Sequence, residues 1–361
     1  MKIIPSAFGL DMSDSSFKFV QLKKKNKNYD LAVFGEGLFP KGAIEGGKIK
    51  KPSEVAQVLK EELSKHRGKG LSPYVVASLP DEEVFLKSIR IPILDKKELE
   101  STVMVEAERN LPIQANNSYL SYKVLNLHDE NDHTDVLVGA ARKDVVDSYA
   151  DLLTDAGLRP VVIEPEVIAI SRSAIKGSSD KAVIITEIGA NRTRLITFSK
   201  NSVVLTGSVN FSTNEATESI AKSLGLELEK AQQLRWDPRL LKDPKYGKKI
   251  EEALNPIFER LADSVNNYMG FLQDSLKEQG SNAHDVEKLI ISGGGARLPG
   301  IVKQLSLLLQ KQVEPVNPWV NVLPYPLKET PELSYEESVR YTTAIGLALK
   351  GAEGAFKELY E

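Results

Sequence analysis

Apolar and polar side chains alternate along Phe17-Lys18-Phe19-Val20-Gln21-Leu22, the pattern of a strand with one buried face. The preceding segment, Ala7-Phe8-Gly9-Leu10-Asp11, reads as a strand that ends on a carboxylate, and Met12-Ser13-Asp14-Ser15-Ser16 is a polar turn between the two. A third strand over residues 31–39 completes an antiparallel meander. Residues 52–66 place Val55, Val58, Leu59 and Leu63 at helical spacing behind Pro52-Ser53, and residues 73–79 read as a buried strand. This βββαβ order departs from a doubly wound nucleotide fold, whose first strand feeds a helix directly.

A second pattern begins after Pro80-Asp81. Residues 84–91 alternate as a strand, and residues 95–110 form a helix opened by an acid that suits the positive end of its dipole. Strands over 118–127 and 134–141, a helix over 143–156 and a strand over 158–164 follow, a βαββαβ run. Its turn, His128-Asp129-Glu130-Asn131-Asp132-His133, gathers two histidines and three acids, yet it joins two alternating strands and reads as a solvated hairpin loop. His66 and His284 add no ligand spacing to it.

The opening pattern then returns. After a helix over 165–175 and a linker at 177–180, Ala182-Val183-Ile184-Ile185-Thr186-Glu187 is a strand ending on a carboxylate. Ile188-Gly189-Ala190-Asn191-Arg192 is its turn, residues 193–198 return, and residues 201–211 supply a third strand. Leu10-Asp11 with its turn thus matches Ile185 to Glu187 with theirs, a duplication at about 175 residues and so of domain size. Helical patterns follow over 213–224 and 226–236, broken at Asp237-Pro238 and Asp243-Pro244. A long helix over 250–279 carries Leu254, Ile257, Phe258, Leu261, Val265, Tyr268, Leu272 and Leu276 on one face, a stripe for core packing.

Leu289-Ile290-Ile291-Ser292 is a buried strand running into Gly293-Gly294-Gly295, and residues 301–309 form a helix beyond. Without Cβ atoms, such a turn lets a flat or charged ligand approach the backbone, although a tight turn that binds nothing has the same residues. Residues 315–326 are proline-rich and irregular, and residues 341–349 close the fold as a helix carrying Gly346.

Composition narrows the function. The 361 residues are 41% hydrophobic and 27% charged, as in globular proteins of more than one domain. A net charge of -3 supplies no overall basic field for nucleic acid. The absence of cysteine excludes disulfides and thiol catalysis. No apolar run reaches membrane-spanning length, and Met1-Lys2-Ile3-Ile4-Pro5 has no secretory core, so retention in the compartment of synthesis is expected.

Two carboxylate-ended hairpins related by duplication, with a late glycine turn, resemble the actin-like ATPase superfamily, an α/β, ribonuclease H-like duplicated two-lobe fold. The βαββαβ insert resembles the SHS2-type subdomain of FtsA and of the PilM family of type IV pilus assembly proteins. Residues 289–300 and 341–349, and Gly9-Leu10-Asp11 with Ser15-Ser16 and Lys18, are similar to PilM segments. That resemblance implies five regions: a first core at 1–80 plus 162–179, the insert at 81–161, a second core at 180–224 plus 285–350, a helical small lobe at 225–284 and a tail at 351–361. It implies ATP and Mg²⁺ as ligands, with hydroxyls and backbone N–H groups aimed at the phosphates. Asp11, Ser13, Ser15, Ser16 and Lys18 fall on the first phosphate loop, and Glu187, Gly189, Asn191 and Thr193 on the second. Gly293, Gly294 and Gly295 fall on the adenosine loop, Gln232 and Arg235 on the helix that contacts ribose and base, and Gly346 on the closing hinge helix. Asp11 and Glu187 would hold the metal, through water.

The resemblance further implies a scaffold of a type IV pilus or related type II secretion platform at the cytoplasmic face of the inner membrane, bound to the N-terminal cytoplasmic peptide of a PilN-like membrane protein, with other pilus platform proteins as further candidate partners. Three positions depart from the family pattern. Ser13 stands where glycine is usual, Glu187 where aspartate is usual, and Gln232 where glutamate is frequent. These changes weigh against efficient hydrolysis, which needs groups placed to a fraction of an ångström. An FtsA-like protein would end in a basic amphipathic helix, whereas residues 351–361 are short and acidic. A sugar-kinase-like enzyme would need a substrate-side general base, for which no residue stands out. A Rossmann dehydrogenase would need a third glycine where Leu298 stands.

Overall fold

The computed structural model describes residues 6–110, 115–125, 133–177, 181–199, 201–237, 239–278, 286–324 and 330–354. The histidine-rich turn at 128–132, linker residues 178–180, Pro238, Gln279 and the tail from 355 lie outside them, as does the side chain of Leu276.

The chain opens with strands β1 (Phe8–Met12), β2 (Ser16–Lys25) and β3 (Asn28–Leu38), a two-stranded ribbon β4 (Ile44–Glu45) and β5 (Lys48–Ile49), helix α1 (Pro52–Arg67) and strand β6 (Tyr74–Leu79). Next come β7 (Val84–Pro92), α2 (Lys96–Asn110), β8 (Ser118–Val124), β9 (His133–Arg142), α3 (Lys143–Asp155), β10 (Arg159–Pro165) and α4 (Glu166–Ala174). The later part holds β11 (Ala182–Ile188), β12 (Thr193–Ser199), β13 (Ser202–Val209), α5 (Thr213–Leu224), α6 (Leu228–Leu234), α7 (Gly247–Glu278), β14 (Val286–Ser292), α8 (Ile301–Leu309), β15 (Gln312–Pro315), α9 (Tyr335–Ser338) and α10 (Thr342–Glu353).

These elements form two compact units: residues 1–176, 318–334 and 341–361 in the first, residues 177–317 and 335–340 in the second. In the first unit the main sheet runs β10-β6-β1-β2-β3. β1, β2 and β3 are antiparallel, and β6 and β10 add in parallel beyond β1. In the second unit the sheet runs β13-β12-β11-β14-β15, again three antiparallel strands and then two parallel ones. The strand order is the same in both, so the repeat legible in the sequence is a repeat of topology. Sequence pattern missed β15, four residues at the mouth of a proline-rich segment, and the ribbon β4-β5.

Alternation decides the faces. Phe17 and Phe19 on β2 and Phe8 and Leu10 on β1 point into one core with Leu59 and Leu63 of α1. Tyr149, Leu152 and Leu153 of α3 fill the same core. Of the six elements read between Pro80 and Glu164, β7, α2, β8 and β9 close a small core of their own, around Ile89, Ile91, Val103, Val136 and Val138. α3 and β10 belong instead to the larger core and the main sheet. In the second unit the predicted α7 stripe is buried at Leu254, Ile257, Phe258, Leu261, Val265 and Leu272, with Tyr268 packed at its edge.

Helix α10 packs on β1, β2 and α4, and Ala344, Ile345, Ala348 and Leu349 bury against Val20 and Leu22. Its approach to α4 depends on Gly346, where a Cβ would overlap the carbonyl of Ala169. Arg172 of α4 completes the contact, donating to the Gly346 carbonyl at 2.8 Å and holding Glu164 with two nitrogens at 2.5 and 2.8 Å.

Replacing Gly346 by valine is expected to destabilise the protein by about 2–4 kcal/mol in denaturant unfolding, because the overlap is with backbone. Gly68→Ala is the control, since φ is -62° and nothing stands within 4 Å of a Cβ there. It should leave stability equal or raise it by up to about 1 kcal/mol.

Candidate functional site: two strand-end loops and a glycine turn

The first loop leaves β1 at Asp11. Asp11 lies opposite Lys18 in the β1–β2 register, and the buried Ser78 at the end of β6 donates to its Oδ1 at 3.4 Å. Ser13 closes the turn upon itself: its N–H donates to the Ser16 carbonyl at 2.8 Å, and its Oγ donates to the same carbonyl at 2.9 Å. Ser16 returns a backbone N–H to Ser13 Oγ at 3.3 Å. Ser13 is not among the described residues with positive φ, so serine in place of glycine carries no backbone strain here. Ser13 and Ser15 are exposed, and Ser16 and Lys18 half-buried.

Asp14, which sequence reasoning passed over, fastens this loop. Its two carboxylate oxygens accept the N–H groups of Gly46 and Gly47, both at 3.0 Å, in the turn between β4 and β5. The Gly47 carbonyl in turn takes the hydroxyl of Tyr149 at 2.8 Å. Burial pushes that phenol well above its ordinary pKa, and the charges of Glu166, Asp14, Glu83 and Asp11 add to the shift, so it stays a donor.

The second loop is built alike. Glu187 lies opposite Arg194 in the β11–β12 register and Ser292 in the β11–β14 register, as Asp11 relates to Lys18 and to Ser78. Here the cross-strand pair is closed: Arg194 Nη1 stands 2.8 Å from Glu187 Oε2, with both side chains at least four-fifths buried. Gly189 N–H donates to the Arg192 carbonyl at 2.9 Å, and the Gly189 and Ala190 carbonyls accept Thr213 and Asn214 N–H at the start of α5, at 3.0 and 3.2 Å. Asn214 donates a further bond to Asn191 Oδ1 at 3.0 Å. Thr193 is fully buried, and its hydroxyl donates to the Phe211 carbonyl at 2.9 Å.

The glycine turn lies against the same strand end. Gly293 adopts φ +76°, and a Cβ there would stand 2.5 Å from Glu187 Oε1. A Cβ on Gly295 would overlap Ile188. Internal packing therefore accounts for both. Gly294 is different: its nearest neighbour would be the Trp236 ring at 3.6 Å, an ordinary contact, so nothing inside the fold requires glycine at that position. Among the described residues, the fully buried hydroxyls of Ser292, beside the turn, and of Thr186, on the opposite face of β11, have no hydrogen-bond partner.

Arg235 anchors this wall from beneath. It is 6% exposed, donates to the Thr213 carbonyl at 2.8 Å and to the Thr217 hydroxyl, and lies 4.2 Å from the Trp236 ring centroid. Burial lowers its pKa to about 10, still far above neutrality, so it remains cationic. Arg297, at the end of the turn, also lies over Trp236 at 5.4 Å and pairs with Glu337 at 3.0 Å. Gln232 is exposed on α6, whereas Gly346 is buried between α10 and α4. The structure thus gathers Glu187, Gly293 and Gly295 at one strand end, and links Gly189, Arg235 and the start of α5 through Thr213. It places Thr193, Arg235 and Gly346 in packing positions. Trp236, Arg194, Ser78 and Ser292 were not singled out from the sequence. The acid-to-base interval of seven residues, Asp11 to Lys18 and Glu187 to Arg194, was the signal for Arg194.

Two sheets of one topology, each with an acid ending its first strand and a hairpin folded beneath, define the class as an actin-like ATPase fold. A family model described as Type IV pilus assembly protein PilM matches residues 9–352, and the chain belongs to that family. The structure is similar to that of a PilM-PilN type IV pilus biogenesis complex, with TM-score 0.78 and 28% identity over 97% of this chain and 99% of that one. It shares its fold with the ethanolamine utilization protein EutJ from Carboxydothermus hydrogenoformans, at TM-score 0.56 and 15% identity over 96% of this chain and 89% of that one. It also shares its fold with MreB 5 of Spiroplasma citri bound to AMPPNP, at TM-score 0.55 and 12% identity over 96% of each. Cell division protein FtsA of Escherichia coli (strain K12) is 27% identical over 104 residues, 29% of this chain and 23% of that protein. The match therefore spans less than a quarter of that curated relative. No described helix is long and apolar enough to cross a membrane.

Arg194→Met would leave the Glu187 carboxylate buried without its cation, and should cost about 3 kcal/mol in urea unfolding. Adding Glu187→Gln should recover part of that loss; strict additivity of the two substitutions would contradict a closed pair.

Proposed function

We propose that the chain is a nucleotide-binding scaffold of a type IV pilus assembly machine that docks the N-terminal cytoplasmic segment of a PilN-like inner-membrane protein. The observation that carries this reading is the whole-chain likeness to the PilM-PilN complex, joined to the family match over residues 9–352. Attachment to the membrane then runs through the partner.

The nucleotide is ATP with Mg²⁺. The donor set suits it: two serine-bearing or asparagine-bearing turns at strand ends, the buried Ser292 hydroxyl beside the glycine turn, and Gly294, whose lack of a side chain serves no internal contact. Within the first unit the loop after β1 offers its hydroxyls and Lys18, a point charge, to phosphate; within the second unit the loop after β11 offers the like, and Gly294, Gln232 and the Arg235–Trp236 wall offer contacts to base and sugar. Asp11 and Glu187, the acids at the two strand ends, are the candidate holders of hydrated magnesium, through water. ATP acts as a conformational ligand, favouring one arrangement of the protein by differential affinity.

A synthetic PilN-type N-terminal peptide should be retained by the immobilised protein, and its affinity should change on addition of Mg-ATP; no retention under either condition would contradict the proposal. Gly294→Val tests the nucleotide separately. It should weaken Mg-ATP binding at least about tenfold in calorimetry while the melting temperature stays within a few degrees, because a side chain at 294 meets only the Trp236 ring at contact distance.

A further inference from the structure

The β2–β3 hairpin carries a basic tip outside the residues assigned to the nucleotide above. Its tip reads Lys23-Lys24-Lys25-Asn26-Lys27, and all five residues are exposed. Asn26 turns the chain at φ +57°. β1 pairs with β2 only as far as Val20, so the lysines lie on the part of the hairpin that β1 does not reach. This is the end of the sheet away from the first loop, since Asp11 and Ser13 lie at the other end of β1.

A second basic segment is stitched to the base of that hairpin. Gln21, buried on β2, donates through Nε2 to the Gly70 carbonyl at 3.0 Å and accepts the Ser72 N–H on Oε1 at 2.7 Å. This ties the loop after α1, which carries Lys69, to β2 two residues before Lys23, with Lys65 and Arg67 in the last turn of α1. Two of the cations are answered: Lys25 pairs with Asp30 at 2.8 Å, and Lys65 with Glu62 at 2.6 Å. Arg67 turns inward to the Leu71 carbonyl at 3.0 Å. Among the described residues, Lys23, Lys24, Lys27 and Lys69 have no carboxylate partner, and all four are exposed.

We infer that this end of the first unit is an electrostatic contact surface for an anionic lipid bilayer. The chain as a whole carries -3, so a basic end is a departure from its own average. At physiological ionic strength charges are screened beyond about 8 Å, so a flat anionic plane facing this end responds to the charges gathered there: the lysines without a carboxylate partner, set against Asp30 and Glu62, which answer Lys25 and Lys65, and Glu353, whose charge acts on Tyr29 opposite Lys24. The chemistry favours lipid over nucleic acid: the unpaired cations are all lysines, point charges without arginine's planar fork, and residues 23–27 and 65–70 offer no exposed aromatic ring on which a base could stack. The segments also lack exposed large apolar side chains, so the contact is a charge contact at the headgroups without insertion. It would add to attachment through the membrane partner proposed above, and its geometry does not depend on that partner.

Vesicle co-sedimentation of the full chain, without nucleotide or peptide, tests it. One set of vesicles is phosphatidylcholine alone and the other contains phosphatidylglycerol at roughly one lipid in three. The wild type should sediment with the anionic vesicles only, and high salt should release it. Charge reversal at Lys23→Glu with Lys24→Glu should lower partitioning at least about tenfold, and Lys248→Glu, an exposed site on α7, should leave it unchanged. Matched circular dichroism melting curves would show that the variants fold. Equal sedimentation with both vesicle types, no sedimentation with either, or wild-type partitioning of the double variant would each overturn the inference. So would retention of a single-stranded oligonucleotide through the same lysines with no binding to vesicles. None of these outcomes bears on Mg-ATP or peptide binding, which are measured without lipid.

Discussion

A carboxylate at the end of a buried strand must be met by a cation or by hydrogen-bond donors, or it will not stay charged. The closed pair of Glu187 and Arg194 satisfies that requirement in the second unit, and much of the local architecture follows from it. The pair fixes the end of β11. Gly293 must then pass over the carboxylate at positive φ, and Gly295 must lie flat on Ile188. The turn after β11 is held in place by its carbonyls on the first N–H groups of α5, and the buried Arg235 is tied to the same helix at Thr213 and Thr217. The second loop, the glycine turn and the start of α5 therefore form one rigid block, in which Gly294 is left without an internal reason to be glycine.

The first unit meets the same requirement with different partners. Asp11 has the Ser78 hydroxyl and lies opposite Lys18, while its neighbour Asp14 reaches across to the β4–β5 turn. Through Gly47 that turn meets Tyr149 of α3, and Lys48 beside it reaches Glu83, just before β7, at 3.6 Å. The first loop is thus joined by hydrogen bonds, through the β4–β5 turn, to α3, and by an ion pair from Lys48 to the residue that precedes β7 of the small sheet. Duplication kept the position of the acid and of its basic and serine neighbours, and divergence altered what each neighbour does.

Much of this was legible in the sequence because it rests on period and punctuation. Alternation from Phe17 to Leu22, and the strand-carboxylate-turn pattern at both Asp11 and Glu187, exposed the meanders and their duplication. The apolar stripe of α7 and the strand-glycine-helix pattern around Gly293 were equally plain. What escaped was set by tertiary contact. Thr193 resembles a loop hydroxyl, yet it lies inside and serves the Phe211 carbonyl. Gly346 resembles a ligand-facing glycine, and its role is the approach of α10 to α4. α3 and β10 read as parts of a separate module because they follow β9 without a break, but Tyr149 and Leu152 find their core against α1. Trp236 gave no signal at the end of a helical pattern, since only folding brings Gly294 and Arg297 to its ring.

What most needs testing is the proposal that each strand-end loop, within its own unit, and the glycine turn beside the second loop contact nucleotide. Amide hydrogen exchange of the full chain, with and without saturating Mg-ATP, reads all three segments at once. Slowed exchange is expected over residues 12–18 in the first unit and over residues 188–193 and 293–297 in the second. Unchanged exchange in all three, or protection confined to other parts of the chain, would contradict it.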